Sequence, residues 1–288
     1  MTAVGNLPFS NRGRQWPGPL PPPAASPEGW IVSDRFTADE LSRFQQDGYF
    51  IARGLADTDT VRLIREITLE HLRREIPPVE FEAELHYPGA PASLDAQGGR
   101  TIRRLKQAHS RGYVFTEWLL RPALLHRLQQ LLGPRVVCPL AHHNCIMTKQ
   151  PRFSSDTGWH QDIRYWSFHR HELVNAWLAL GEERAENGGL WVIPGSHRQT
   201  FRAEQFDAAK FFREDLPENQ PLLGSRVEVV LAPGDVLFFH CLTLHAASRN
   251  LTSEPKLSVV FTFRGDGNAP VAGSRSAASP ELVLTPGA

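Results

Sequence analysis

Trp159-His160-Gln161-Asp162, answered much later by Leu244-His245-Ala246-Ala247-Ser248-Arg249-Asn250, is the pair of stretches from which this chain can be read. Alternate residues of a strand share a face, so a strand here would set His160 beside Asp162. Ile163, Tyr165 and Trp166, which follow, favour strand over loop. His245 closes Ala232-Pro-Gly-Asp235-Val-Leu-Phe-Phe239-His240-Cys-Leu-Thr-Leu-His245, a Pro-Gly-Asp turn feeding an apolar run that reads as a buried strand. Two imidazoles and one carboxylate closing on one side of a metal leave its other side open. That is the donor set of non-haem Fe(II) oxygenases, which need free positions for a co-substrate and O2. His-x-Asp alone is often a surface or structural pair, so the flanking strand signals carry the argument.

Outward from these stretches the texture is β. Short apolar runs separated by turns recur at about 135–148, 159–167, 174–181, 189–193, 226–231, 235–242 and 256–263. The first half reads differently. Thr37-Ala-Asp-Glu40 is a capping box opening a helix to about Asp47, and Gly48 supplies a left-handed stop. Tyr49 to Ala52 reads as a short strand. Asp57 or Thr58 caps a second helix that ends before Pro77-Pro78. Residues 78–101 read as a long loop, a lid or substrate-binding loop or else a disordered stretch. A third helix is expected from about Phe115 to Leu132, stopped by Gly133-Pro134. Helices first and then many strands predict a mainly β fold, a double-sheet jelly roll carrying an N-terminal helical layer. The expected organisation is a Pro-rich leader over 1–30, one domain over 31–264 (helices 37–132, jelly-roll core about 135–264) and a flexible tail over 265–288. Within that tail, Leu282-Val283-Leu284 could add an edge strand.

Composition excludes several classes. In 288 residues, 41% are hydrophobic and 22% charged, ordinary for a globular protein, and the formal net charge of zero gives no global field towards nucleic acid or an acidic membrane. No apolar run approaches the ~20 residues that span a bilayer. Met1 to Trp30 lacks the order of a secretory signal. The three cysteines, Cys138, Cys145 and Cys241, have no zinc-like spacing and fit small core residues of a reducing cytoplasm.

At this point the residues resemble the phytanoyl-CoA dioxygenase family of Fe(II)- and 2-oxoglutarate-dependent oxygenases. Phe44-Gln-Gln-Asp-Gly48-Tyr-Phe is similar to the family's helix-to-strand junction. Lys149-Gln-Pro151 precedes Trp159-His160-Gln-Asp162, and Trp177-Leu-Ala-Leu180 leads to Glu186-Asn-Gly-Gly-Leu-Trp191-Val-Ile-Pro-Gly-Ser-His197. Gly234-Asp235 and His245 with Asn250 complete the order, over about residues 36–264. The resemblance implies a double-stranded β-helix (cupin-like jelly roll), iron held by His160, Asp162 and His245, 2-oxoglutarate and O2 as co-substrates, and a small-molecule substrate. Halogenating relatives lack the carboxylate, so Asp162 implies hydroxylation of an unactivated C–H as the default, with release of succinate and CO2; desaturation and ring closure stay open, since they depend on substrate placement. Where the family carries an arginine for the far carboxylate of 2-oxoglutarate, eleven residues after the distal histidine, this chain has Lys256. A lysine keeps the charge and loses the planar fork. Trp177 matches a position lining the co-substrate pocket in similar proteins, with plain core packing as the other reading. Cys145 shares an inward face with Met147 on a regular strand and could touch the co-substrate or fill space.

Other residues carry paired readings. His240 would face away from His245 on an ideal strand and reads as structural, with a ligand role as the other reading. His197 closes Pro-Gly-Ser-His and reads as fixing the loop, with a place in the substrate channel as the other reading. His142 and His143 are expected on an early core strand, one of them inward. Arg100, Arg103, Arg104, Lys106 and Arg111 form a basic run. Such a run is usually solvated, and the sharper reading turns Arg103 or Arg104 into the cavity mouth towards a carboxylate, suiting an anionic substrate. Substrate specificity is expected in 78–112 and 198–225, the latter as a lid helix. The alternative function is a jelly-roll protein that binds metal or ligand without redox chemistry, favoured by Lys256 alone.

Overall fold

In the computed structural model, residues 33–285 are described. The expected leader therefore lies outside the described residues. The helices are α1 (Ala38–Asp47), α2 (Thr58–Arg73), α3 (Tyr113–Leu120), α4 (Pro122–Leu132) and the single turn α5 (Gln220–Leu223). The strands are β1 (Tyr49–Ala52), β2 (Val79–Phe81), β3 (Ile102–Lys106), β4 (Val136–Pro139), β5 (Asn144–Lys149), β6 (Thr157–His160) and β7 (Leu173–Ala179). They continue with β8 (Leu190–Val192), β9 (Val227–Glu228), β10 (Val236–His240), β11 (His245–Ala247), β12 (Lys256–Gly265) and β13 (Glu281–Leu284).

All pairings are antiparallel. The larger sheet runs β1-β10-β7-β12-β5-β3-β2, with β4 joined to β12 and β13 to β4, and the smaller runs β6-β11-β8-β9. This is the expected jelly roll with its helical layer. Strict alternation explains the layering. On β12, Leu257, Val259, Phe261 and Phe263 face the helices, where they meet Phe115, Leu124 and Leu128. The intervening Val260 joins Trp177, Leu237 and Phe239 between the sheets. Both faces of this sheet are covered, so its strands read as nearly unbroken apolar runs. The polar residues of the inner face, Lys149, Asn175, Lys256, Ser258 and Thr262, stand out against that background, and all are buried.

Local chemistry sets the boundaries. Thr37 and Glu40 form the capping box of α1, and Gly48 ends it at φ 79°. A side chain at Gly48 would also collide with the His197 ring. Asp57 caps α2 by accepting from the Thr60 amide at 2.8 Å.

Four expectations need correction. The third helix is two, because Pro122 forces Arg121 into an extended conformation (ψ 127°) and then starts α4 at its first position. Residues 78–101 are not all loop, since β2 pairs with β3. No lid helix fills 198–225; among the described residues that segment holds two short 3-10 turns and α5, nailed down by Phe201, Phe206 and Phe212. Over the described residues 265–285 the tail is not loose. Instead β13 pairs with β4 from Glu281↔Pro139 to Leu284↔Val136, Arg264 grips Glu281, and Ser276 accepts from the Ser167 amide at 2.8 Å. The edge strand at Leu282-Val283-Leu284 is therefore what forms. Leu284 is buried at this edge. Leu284→Ala is expected to cost roughly 2 kcal/mol, the low end for a buried leucine because an edge can relax. Urea denaturation checks it, and an unchanged midpoint would mean the strand adds no stability.

Candidate active site

His160 and His245 stand directly opposite each other where β6 meets β11. Their ring centroids are 4.2 Å apart. Asp162 is not on the same strand as His160. The strand stops at His160, and Asp162 opens a 3-10 turn, Asp162–Tyr165. The turn achieves what strand alternation would have done: one ligand atom each from His160, Asp162 and His245 lies within 4.8 Å of the others.

Hydrogen bonds fix which atoms are free. His160 Nδ1 is 2.8 Å from the Gly158 carbonyl, and His245 Nδ1 is 3.0 Å from the Thr243 carbonyl. A carbonyl only accepts, so both Nδ1 atoms carry the proton and both Nε2 atoms keep a lone pair for a metal. Those Nε2 atoms lie 3.5 and 3.6 Å from Asp162 Oδ1. The other carboxylate oxygen, Oδ2, accepts from Asn175 Nδ2 at 2.8 Å, and Asn175 Oδ1 accepts from Thr262 at 2.6 Å. Thr262 and Asn175 thus orient the carboxylate from behind. The donor set fits a ferrous ion: two neutral imidazoles, one anionic oxygen, all aimed at a cavity.

Electrostatics agree. Burial, reinforced by the neighbouring His245, pushes His160 down to about 3, so it stays a neutral ligand far into acid. Burial also lowers His245. Burial alone would raise Asp162, but His143 and His245 outweigh it and hold the carboxyl well below its usual range. His143 Nε2 lies 3.1 Å from Asp162 Oδ1. His142 and His143 sit in the bend between β4 and β5, not on a strand. There His142 bonds Ser276 and packs on Trp166. Asn175→Ala is expected to lower metal affinity about 10–100-fold, the usual cost of losing an outer partner. Competition with a chromophoric chelator measures it, and wild-type affinity would deny Asn175 that role.

The three donors line a cavity of about 750 Å³. Trp177, Cys145, Lys256 and Arg103 all line it. Lys256 is buried, 3% exposed. Its ammonium lies 3.3 Å from Glu183, 3.1 Å from Ser258 Oγ and 4.6 Å from the Trp177 ring centroid. Glu183 also accepts from Trp177 Nε1 at 3.1 Å and from Ser258 at 2.6 Å. Cys145 Sγ sits 3.6 Å from Met147 Sδ on the same wall.

The basic run is mostly not a solvated face. A bulge where β3 meets β2 makes Arg103 the extra residue and turns it inward beside Arg104. Arg103 is then committed, to Glu82 at 3.2 Å and to Ser155 and Thr157 at 2.9 Å each. Arg104 meets Glu80 at 2.9 Å. His240 and His197 lie away from the donors, near each other, with the His197 ring 3.2 Å from the Gln45 carbonyl. Sequence reasoning missed Glu183, Glu82 and Asn175. Asn175 could have been found, since it alternates with Trp177 along β7.

The phytanoyl-CoA dioxygenase family model matches residues 44–258. The mouse peroxisomal phytanoyl-CoA dioxygenase is 25% identical over 235 residues, 75% of this chain and 64% of that protein's length. The chain therefore spans just under two thirds of that relative. The ectoine dioxygenase of Streptomyces avermitilis is 25% identical over 294 residues, covering 94% of this chain and 92% of the relative. Among solved structures, EctD from S. alaskensis with 2-oxoglutarate and 5-hydroxyectoine superposes with a TM-score of 0.69 at 20% identity over 84% of this chain and 81% of EctD. SnoK, a non-heme alpha ketoglutarate dependent carbocyclase from nogalamycin biosynthesis, gives 0.67 at 18% identity over 89% of this chain and all of its own. These structures share the jelly roll. A family match running from the end of α1 into β12, and so across every donor residue above, means that the chain belongs to the phytanoyl-CoA dioxygenase family.

Proposed function

We propose that this protein is an Fe(II)- and 2-oxoglutarate-dependent dioxygenase that hydroxylates an unactivated C–H bond of a small molecule. The observation that carries the reading is the convergence of two free Nε2 atoms and one oriented carboxylate on a cavity with buried cations in its wall. Ferrous iron bound there supplies, with 2-oxoglutarate and O2, the oxidising power, and succinate and CO2 are the co-products. The chain's own residues do the rest. His160, Asp162 and His245 would hold the metal from one side and leave its other side for the co-substrate and O2. Asp162 fills the position that a halide would otherwise take, which favours hydroxylation. Trp177, Cys145 and Met147 form a close wall that excludes water beside the co-substrate.

The outer cavity suits a flat or apolar body bearing an anionic group. Tyr87, Tyr165, Trp166 and Phe211 line it. Arg164 lies over the Phe211 ring at 4.0 Å and the Tyr165 ring at 4.6 Å, and donates to Tyr87 at 3.1 Å. Unlike Arg103 and Arg104, it has no carboxylate partner among the described residues, which supports an anionic substrate. The test needs no substrate. Protein given Fe(II), 2-oxoglutarate and air should release succinate slowly, and faster when a true substrate is found in a metabolite screen. Tight metal binding with no succinate under any condition would favour a ligand-binding protein without redox chemistry.

A further inference from the structure

Three buried cations reach the same part of the cavity wall, Arg103, Lys149 and Lys256, against two buried carboxylates, Glu82 and Glu183. Arg103 is matched by Glu82 at 3.2 Å and Lys256 by Glu183 at 3.3 Å. Lys149 is left over. It is 4% exposed, its ammonium donates to the Ser155 carbonyl, and it has no ion-pair partner among the described residues. An ammonium buried without a counter-charge is unfavourable, so this arrangement is complete only with an anion beside it. Burial, together with Arg103 and Lys256, drives Lys149 well below an ordinary lysine, with Glu82 and Asp156 opposing.

Several parts of the fold converge on placing this side chain. The register sets Lys149 directly opposite Lys256, so both point to the inner face. Asn250 Nδ2 donates to the Lys149 carbonyl at 2.8 Å. Gly188, at φ +87°, lets the Glu186-Asn-Gly-Gly turn close over the lysine stem, because a Cβ there would come within 2.8 Å of Lys149 Cγ. Asn250 and Gly188, from two of the motifs quoted above, thus both help to place this lysine.

We propose that Lys149 is the side chain that receives the distal carboxylate of the 2-oxo acid, while Lys256, neutralised by Glu183, shapes the wall with Trp177. The strand position that suggests the carboxylate partner from sequence is then a positioning residue, and the acting cation comes from the neighbouring strand. This rests on the oxygenase reading above.

Calorimetric titration of anaerobic, Fe(II)-loaded protein tests it. The probes are 2-oxoglutarate and 2-oxobutyrate, which has the same chelating end and lacks the distal carboxylate. Wild-type protein is expected to prefer 2-oxoglutarate. Lys149→Met and Lys149→Gln, checked for folding by circular dichroism, are expected to bind 2-oxoglutarate roughly 100-fold more weakly, with 2-oxobutyrate unchanged. Lys149→Arg, which keeps the charge, should retain most of the preference. The proposal is overturned if both uncharged variants keep the wild-type preference, or if they lose both acids equally, which a merely structural lysine would do. Should the wild-type protein bind neither acid, the oxygenase reading falls with it; a wild-type preference that survives in the variants sinks the lysine assignment alone.

Discussion

Asp162→Ala is expected to reduce 2-oxoglutarate-dependent succinate release to background and to weaken Fe(II) binding by more than the roughly 10–100-fold that loss of an outer partner costs. The physical reason is the donor inventory. Asp162 is the single anionic ligand of the set, and its Oδ1 faces both Nε2 atoms at 3.5 and 3.6 Å. Without it two neutral imidazoles remain, too few to hold a divalent cation against water. No nearby group replaces it: Glu183 and Glu82 are engaged by Lys256 and Arg103. Because the change also leaves His143 and Asn175 without their shared buried carboxylate, folding of the variant is checked by circular dichroism. Chelator competition and a succinate assay on the same preparation separate the effects. A variant that still made succinate would contradict the ligand assignment.

Glu82→Ala should produce the largest loss of stability, about 3–5 kcal/mol, because it strands a buried guanidinium. Glu82 and Arg103 are 0% and 1% exposed. Their pairing is braced by Ser155, which donates to Glu82 at 2.6 Å, and by the Tyr87 ring, 4.8 Å from the guanidinium. Removing the carboxylate leaves Arg103 with hydroxyl partners and no counter-charge. The cluster ties the β2–β3 corner to the segment entering β6, and so supports His160. The midpoint of thermal unfolding should fall by roughly 10 °C at this size. Glu66→Ala is the control, because its pairing with Arg62 is solvent-exposed and contributes little. A loss from Glu82→Ala no larger than the control's would mean the pair contributes little.

Much of the fold was legible because burial writes itself as alternation. The runs at 174–181, 235–242 and 256–263 became β7, β10 and β12, and the capping box at Thr37 became the start of α1. The three proposed metal donors were legible for a different reason: their spacing resembles that of a known family. What failed was local. Asp162 left the strand because a 3-10 turn can bring i and i+2 donors together as well as a pleat can, and spacing does not distinguish the two. Helices α3 and α4 looked like one because leucines kept their period across Pro122. The tail looked loose because β13 gains its stability from pairing with a strand far away in sequence. Charge partners were the least legible. Nothing near Glu183 or Glu82 in sequence announces a buried carboxylate, so Lys256 and Arg103 both looked free for a ligand when each already had a partner.

The central claim is that His160, Asp162 and His245 hold one ferrous ion whose free side accepts the 2-oxo acid. Anaerobic addition of 2-oxoglutarate to Fe(II)-loaded protein, followed by visible spectroscopy, addresses it with no knowledge of the substrate. The expected result is a weak charge-transfer band that saturates with 2-oxoglutarate, disappears with Asp162→Ala and is not produced by Zn(II). Iron bound with normal stoichiometry but giving no such band at saturating 2-oxoglutarate would contradict the account.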